Sequence, residues 1–417
     1  MKKYLFFALA AAGMLSSCSS DDIVSNGVNS GNEESRQQIL IGMGQTVTRG
    51  TGTVGGFADD ADNKWNKQVV NIYMLNRNTM DLAVFDPLTD QTPLYDNMTF
   101  FTPDLMQTGR AYATDDSIKY YPTQGKFDFW AYRLDDAVTA TAKPVRETDS
   151  IYVDFTINGS QDVMVAKAVP SKADSIKLGA LNGTPLDITN FQDRAFSAYS
   201  ARHDVQPDLK FRHLLSRLTF DVIPGSSNTI NPLTPVIVDR IEVLSPATGR
   251  LTIAALGDIK GEKQAIKWNA ELDTLTLMQR PALGTATKND SLPLIPFTSV
   301  SLANRGDYQT PGDATTPFVG DTVRVGEAML VAPEVTEYQI LVYLHQPTRQ
   351  TNSSLATEDV PFSYKDVIKL TANAPFKAGY SYNVQIKLYG LQDIQVTTTL
   401  GKWIEGETIT LVPEDQE

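Results

Sequence analysis

The sequence predicts an all-β protein built from antiparallel sandwiches. Three observations carry that expectation. Apolar and polar residues alternate with a period of two along several short segments. Clusters of Gly, Pro, Asn and Asp separate those segments, and 27 glycines and 22 prolines in 417 residues supply the turns that many short strands need. No sustained 3.6-residue apolar period is present.

Four segments show the alternation. Phe127, Phe129 and Ala131 face one way, with Asp128, Trp130 and Tyr132 the other. Leu218, Phe220 and Val222 alternate with Arg217, Thr219 and Asp221. Ile340, Val342 and Leu344 alternate with Leu341, Tyr343 and His345. Tyr380, Tyr382, Val384, Ile386 and Leu388 form the cleanest set. Residues 191–202 read as one short helix, with Phe191, Ala195, Ala198 and Tyr199 on a shared face. The stretch 170–207 is otherwise irregular and polar, and a new strand begins at Leu209. This places a boundary near residue 208, dividing the chain into a domain over 37–208 and another over 209–417 of the same plan.

The amino terminus is a signal. Lys2 and Lys3 precede an apolar stretch over 4–14, and Leu15-Ser16-Ser17-Cys18 follows. A basic segment, an apolar segment and small residues before a cut make a secretory signal peptide over 1–17. The apolar stretch is too short for a bilayer core of ~30 Å. Ending the signal at a cysteine resembles the lipobox of bacterial lipoproteins. The resemblance implies a thioether-linked lipid on Cys18, which becomes the first mature residue. Residues 18–36 are poor in large apolar side chains and read as a flexible tether. Asp21 and Asp22 behind the lipid are similar to a surface-export signal, or are a solvated linker.

Cys18 is the only cysteine. With it lipidated, the fold can hold no disulfide, and cysteine catalysis and thiolate metal sites are excluded. The formal net charge is −13, and loss of Lys2 and Lys3 with the signal makes it more negative still. That balance argues against nucleic acid as a partner.

Two terminal segments are candidates for detachment. In the strand over 37–48, Ile39, Ile41, Met43 and Val47 share one face, and Leu40, Gly42, Gly44, Thr46 and Thr48 the other. Arg49 and Gly50 then open a glycine-rich stretch through Gly56. A basic residue followed by small ones suits a trypsin-like protease, which takes its substrate in extended form. Removing such a strand exposes two unpaired edges, each a template for another chain. At the other end, Thr408, Ile409, Thr410, Leu411 and Val412 form a short β-rich segment before an acidic tail. The bland alternative is that both are ordinary first and last strands.

Catalytic patterns are weak. His203, His213 and His345 fall in no metal-ligand spacing. Asp59-Asp60, Asp115-Asp116 and Asp135-Asp136 put neighbouring carboxylates on opposite strand faces. There is no nucleophile elbow or P-loop, and residues 50–56 lack the lysine a phosphate cradle uses. No enzyme activity, cofactor or metal is expected.

Several runs together resemble one family. Val47-Thr48-Arg49-Gly50 and Val69-Val70-Asn71-Ile72-Tyr73 resemble the opening of fimbrillin-type pilins, as does the run from Tyr120 to Tyr132. The run from Phe211 to Phe220 is similar to the start of their second domain, and Gly379-Tyr380-Ser381-Tyr382-Asn383-Val384 with Trp403 to their closing strands. The resemblance implies two transthyretin-like, Greek-key β-sandwich domains in tandem, made as an outer-membrane lipoprotein precursor. It implies cleavage by an arginine-specific protease after Arg49, making Gly50 the new terminus, with Arg36 as second choice. The vacated groove would accept a strand from a neighbouring subunit, and residues 408–412 would be the donor strand. The product is a stalk or tip subunit of a type V pilus at the cell surface. Asp149-Ser150-Ile151, Asp174-Ser175-Ile176, Asp273-Thr274-Leu275 and Asp321-Thr322-Val323, with matches at Asp116 and Asp290, resemble a bacterial O-glycosylation sequon. The alternative function is a monomeric surface lipoprotein that binds glycans, with Trp65 or Trp268 stacking on sugar rings.

Overall fold

The computed structural model describes residues 36–45, 65–82, 93–106, 108–113, 118–135, 139–140, 143–179, 196–279, 294–307, 318–347, 362–372, 374–391 and 394–401. Residues Gln37–Glu417 form one compact unit. The described residues are nearly all strand and turn, as the alternation predicts.

The largest sheet runs, neighbour by neighbour, through Gly109–Arg110, Gly42–Gln45, Asp208–His213, Val163–Lys167, Phe127–Leu134, Val69–Asn76, Met98–Phe101 and Tyr112–Ala113. Its first and last strands are joined in the chain by Ala111 alone, so the sheet closes on itself as a barrel. Ala111 contributes to the closure by donating its N–H to the Ile41 carbonyl at 2.9 Å.

Both faces of the Phe127–Leu134 strand are buried, which is why its alternation mixes aromatic residues onto each side. Phe127, Phe129 and Ala131 point into the barrel core. Trp130 and Tyr132 point into a second core. Asp128, on the second face, is buried but neutralised. Arg77 reaches it at 2.9 Å, and the Lys167 ammonium lies 3.6 Å away, over the Trp130 ring. Burial pushes the Lys167 pKa down, and Asp128 opposes that shift.

The second core is covered by another sheet, in which Ser150–Thr156 pairs with Thr248–Ala255 and the latter with Ile266–Trp268. The same core continues between two further sheets. One orders Val323–Val331, Ser216–Pro224, Ser381–Leu388 and Ile394–Gly401; the other orders Leu272–Thr276, Ile237–Pro246, Glu337–Gln346 and Phe362–Thr371. Leu218, Phe220 and Val222 from the first pack in one cluster with Ile340, Val342 and Leu344 from the second, the sandwich arrangement that alternation on both strands demands. Asp208–His213 belongs to the barrel, and Ser216 begins the next sheet after two intervening residues.

Two helical expectations are corrected. Of the helix read over 191–202, the described part is only Ala198–Ala201, capped by Ser197. Tyr199 does not share a buried face with Ala198; it is exposed and lies against His203, ring centres 4.5 Å apart. Conversely, Lys172–Gly179 is helical within the stretch read as irregular. Its signal is local: the Ser171 hydroxyl accepts from the Asp174 N–H, and the Asp174 carboxylate accepts from the Ser171 N–H at 2.8 Å. That reciprocal cap has the Ser-x-x-acid spacing.

Candidate functional site

The strand Gly42–Gln45 is the seam of the barrel. Ile39, Ile41 and Met43 point inward with at most 6% of their surface exposed, as the alternation predicts. Leu40 and Gly42 face outward and are half-buried. Fully burying three such side chains is worth roughly 5–9 kcal/mol before ordering costs. That is comparable to the whole stability of a typical domain.

The seam has two edges. On one, Gly42 to Gln45 pair with Asp208 to Phe211 in a parallel ladder, and the Gly42 N–H donates to the Pro207 carbonyl at 2.9 Å. On the other, Gly42 and Met43 pair antiparallel with Arg110 and Gly109. Further back, Ile39 N–H donates to the Lys119 carbonyl at 2.9 Å and Tyr121 N–H to the Gln37 carbonyl at 2.8 Å. A small cavity of about 190 Å³ sits where this second edge passes from Ala111 to Lys119.

The seam's outward face is nearly bare. Gly42 and Gly44 have no side chains, and a Cβ on Gly42 would come within 2.9 Å of an Asp208 carboxylate oxygen. Partial desolvation pushes the Asp208 pKa up; Lys210 opposes the rise and Asp174 adds to it. The neighbouring strand is held independently of the seam. Its inner partner is Val163–Lys167, and the Arg212 guanidinium donates to the carbonyls of Gly261, at 3.0 Å, and Gln264.

Arg36 is exposed. Cys18, Val47, Arg49, Gly50 and the segment Thr408, Ile409, Thr410, Leu411 and Val412 lie outside the described residues. The last described strand, Ile394–Gly401, pairs along its length with Ser381–Leu388. Sequence reasoning missed Gln206, Pro207 and Asp208 as neighbours of the seam. The signal available was a Gln-Pro step directly before a strand, which marks a ladder end but not whose ladder.

The histidines hold structural positions. His213 is buried, with Nδ1 2.5 Å from an Asp162 oxygen. His345 Nδ1 lies 2.7 Å from Asp239, and Ser299 donates to the same carboxylate at 3.0 Å. Serine and histidine thus meet on the acid, whereas nucleophilic catalysis uses serine on histidine. Among the described residues no group of three or more His, Cys, Asp or Glu is placed to hold a metal ion. Trp65, named for sugar stacking, is fully buried edge-on to Phe211 at 5.3 Å. Trp268 is half-buried against Phe155. Of the sequon hydroxyls, Thr274 and Thr322 are exposed, Ser150 is half-buried and Ser175 is buried.

No curated protein is matched by the sequence. Solved structures to which the chain is similar include a candidate cell adhesion protein from Bacteroides uniformis, with 14% identity over 90% of this chain and 100% of that one and a TM-score of 0.43. Another is a fimbrial protein from Bacteroides vulgatus, with 12% identity over 88% and 100% and a TM-score of 0.40. A third is a fimbrial anchor protein from Porphyromonas gingivalis, with 10% identity over 89% and 99% and a TM-score of 0.31. The model of one family, described as fimbrillin-like, matches residues 58–403. Matched over most of its length, the chain belongs to the fimbrillin-like family.

Proposed function

We propose that the protein is a structural subunit of a cell-surface pilus, without catalytic activity, that assembles by exchange of its seam strand. It is made as a lipoprotein on Cys18, held at the outer membrane, and cut after Arg49 by an arginine-specific protease. Its partners are other pilin subunits, and residues 408–412 are the strand it donates. Its tandem domains meet near residue 208, with the strand Asp208–His213 completing the barrel of the first.

One observation supports this reading above the others. The barrel is closed by a short strand at the start of the chain, and its main ladder is parallel to a strand far away in sequence. Removing it opens the barrel between Asp208–His213 and Gly109–Arg110 while Arg212 keeps the first of those edges fastened. The buried Ile39, Ile41 and Met43 also imply that a cut alone leaves the strand seated. Displacement requires an incoming strand with a comparable apolar face, so assembly is coupled to arrival of a partner.

The test is the amino-terminal sequence of protein recovered from cells, with polymerisation of an Arg49→Ala variant in parallel. Gly50 at the terminus of the wild type, and no polymer from Arg49→Ala, are the expected results. Normal polymer from Arg49→Ala, with Cys18 still terminal, would remove the proposal.

A further inference from the structure

The ladder between the seam and Asp208–His213 stops abruptly, and a side chain takes over where it stops. Gly42 N–H donates to the Pro207 carbonyl at 2.9 Å. In a parallel ladder of this register, the next N–H back along that strand would serve the Leu40 carbonyl. It belongs to residue 207, and proline has none. Residue 206 stands opposite Leu40 in the same register, and it is a glutamine.

The Gln206 side-chain amide bonds to the seam backbone just before this break. Its Oε1 accepts the Leu40 N–H at 3.3 Å, and its Nε2 donates to the Gln38 carbonyl at 3.0 Å. The Tyr121 hydroxyl donates to the same Oε1 at 3.3 Å from the opposite edge. Burial raises the Tyr121 pKa well above its ordinary value, so the hydroxyl keeps its proton. The orientation of the amide is fixed by chemistry. A backbone N–H can only donate and a carbonyl can only accept, so a reversed amide would set donor against donor.

Both seam partners of Gln206 are main-chain atoms, two residues apart, as on any extended strand. We infer that Gln206 is a binding residue of the seam groove that recognises the backbone of an extended polypeptide, without regard to its side chains. A side-chain amide here copies the donor and acceptor of a peptide unit. It serves the resident strand and, after exchange, an incoming strand of different sequence alike. This rests on the strand-exchange reading for its second half only; the clamp on the resident strand stands without it.

Two experiments test the inference. In the uncut full chain, amide hydrogen exchange at Leu40 should rise about tenfold in Gln206→Leu, as expected for losing one to two net hydrogen bonds. In Gln206→Glu the rise should be smaller, since a carboxylate still accepts from Leu40 although it cannot donate to the Gln38 carbonyl. No change at Leu40 in Gln206→Leu overturns the clamp. Next, protein cut at Arg49 is stripped of its strand in mild denaturant, refolded, and titrated with a synthetic peptide of residues 37–48. Gln206→Glu, which cannot donate to the position 38 carbonyl, should weaken binding about fivefold to tenfold. The same loss should appear for a peptide carrying Gln38→Thr and Leu40→Thr. A loss below twofold, or one confined to the native peptide, overturns backbone recognition. If Leu40 exchange responds as expected but the wild-type groove takes up no peptide, strand exchange itself fails and the clamp remains.

Discussion

Among the described residues two strand pairs are parallel, and they are fastened in different ways. In the barrel, Gly42–Gln45 meets Asp208–His213 over four residue pairs. In the sandwich, Ser216–Pro224 meets Ser381–Leu388 over eight. Each pair buries one apolar face. The outer faces differ. In the sandwich, Arg217 donates to the Ser381 hydroxyl, Thr219 to Asn383, and Asn383 to Asp221, which Arg324 also holds at 2.8 Å. In the barrel, the corresponding seam positions are Gly42 and Gly44. A parallel ladder is somewhat weaker per residue than an antiparallel one. The sandwich offsets this with length and side-chain links. The seam has neither, and relies on three buried side chains and a clamp at its start.

Substitutions in the two pairs should therefore read out differently. The largest effect is expected from Phe220→Ala, which removes a fully buried ring of the sandwich pair and should cost about 3–5 kcal/mol. Urea unfolding of the full chain should shift as a whole. Met43→Ala removes a comparably buried side chain of the seam. It should raise hydrogen exchange at residues 39–45 far more than it lowers the urea midpoint. Equal shifts in midpoint without local exchange would erase the distinction between the pairs.

Asn383→Leu unlinks Thr219 from Asp221 on the sandwich pair and should cost about 1–2 kcal/mol, because the buried Asp221 loses one of its partners. An unchanged urea midpoint would mean that the side-chain links contribute nothing to permanence. Adding a side chain to the seam should act oppositely. At Gly44 a Cβ would meet Thr108 at 3.6 Å, an ordinary contact, so Gly44→Ala fits. Replacing glycine in a strand should tighten the seam by about 0.5–1 kcal/mol and slow its loss after cleavage several-fold. Faster loss would show that bareness is not what makes the seam detachable.

The smallest expected effect is on pH. Asp208 is exposed as a whole residue, but its carboxylate lies against Gly42, and partial desolvation there raises its pKa while the strand is seated, with Lys210 opposing and Asp174 adding. The seated state therefore binds the proton more tightly than the vacated one. The seam should tighten as pH falls toward about 4 and loosen as pH rises through the raised pKa, since the state that binds more protons gains at low pH. Asp208→Asn should flatten that dependence of strand release. A slope of the opposite sign would show that another titrating group governs release.

Much of the fold was legible where one face of a strand is buried and the period is two. Ile39, Ile41 and Met43, and likewise Val384, Ile386 and Leu388, point inward as their spacing predicts. Legibility failed where local chemistry competes with periodicity. The helix Lys172–Gly179 has a weak apolar face, so its start is marked by the Ser171 and Asp174 cap rather than by pattern. Tyr199 shares a sequence spacing with Ala198 but not a burial, because a helix as short as Ala198–Ala201 has little face to impose. Trp65 illustrates the converse: aromatic identity suggests either a core or a binding platform, and only its contact with Phe211 decides for the core.

By itself the sequence determined which residues of each strand point inward, since side chains alternate along any extended backbone. It also determined the all-β class, through turn residues and the lack of helical period. Which strands become neighbours was decided by the tertiary structure alone. The pairing of Gly42 with Asp208, the closure of the barrel through Ala111, and the meeting of Gln206 with Leu40 join segments far apart in the chain. A strand's edge offers the same backbone donors and acceptors to every candidate neighbour. The choice among them rests on how all the apolar faces pack at once, which no local pattern records.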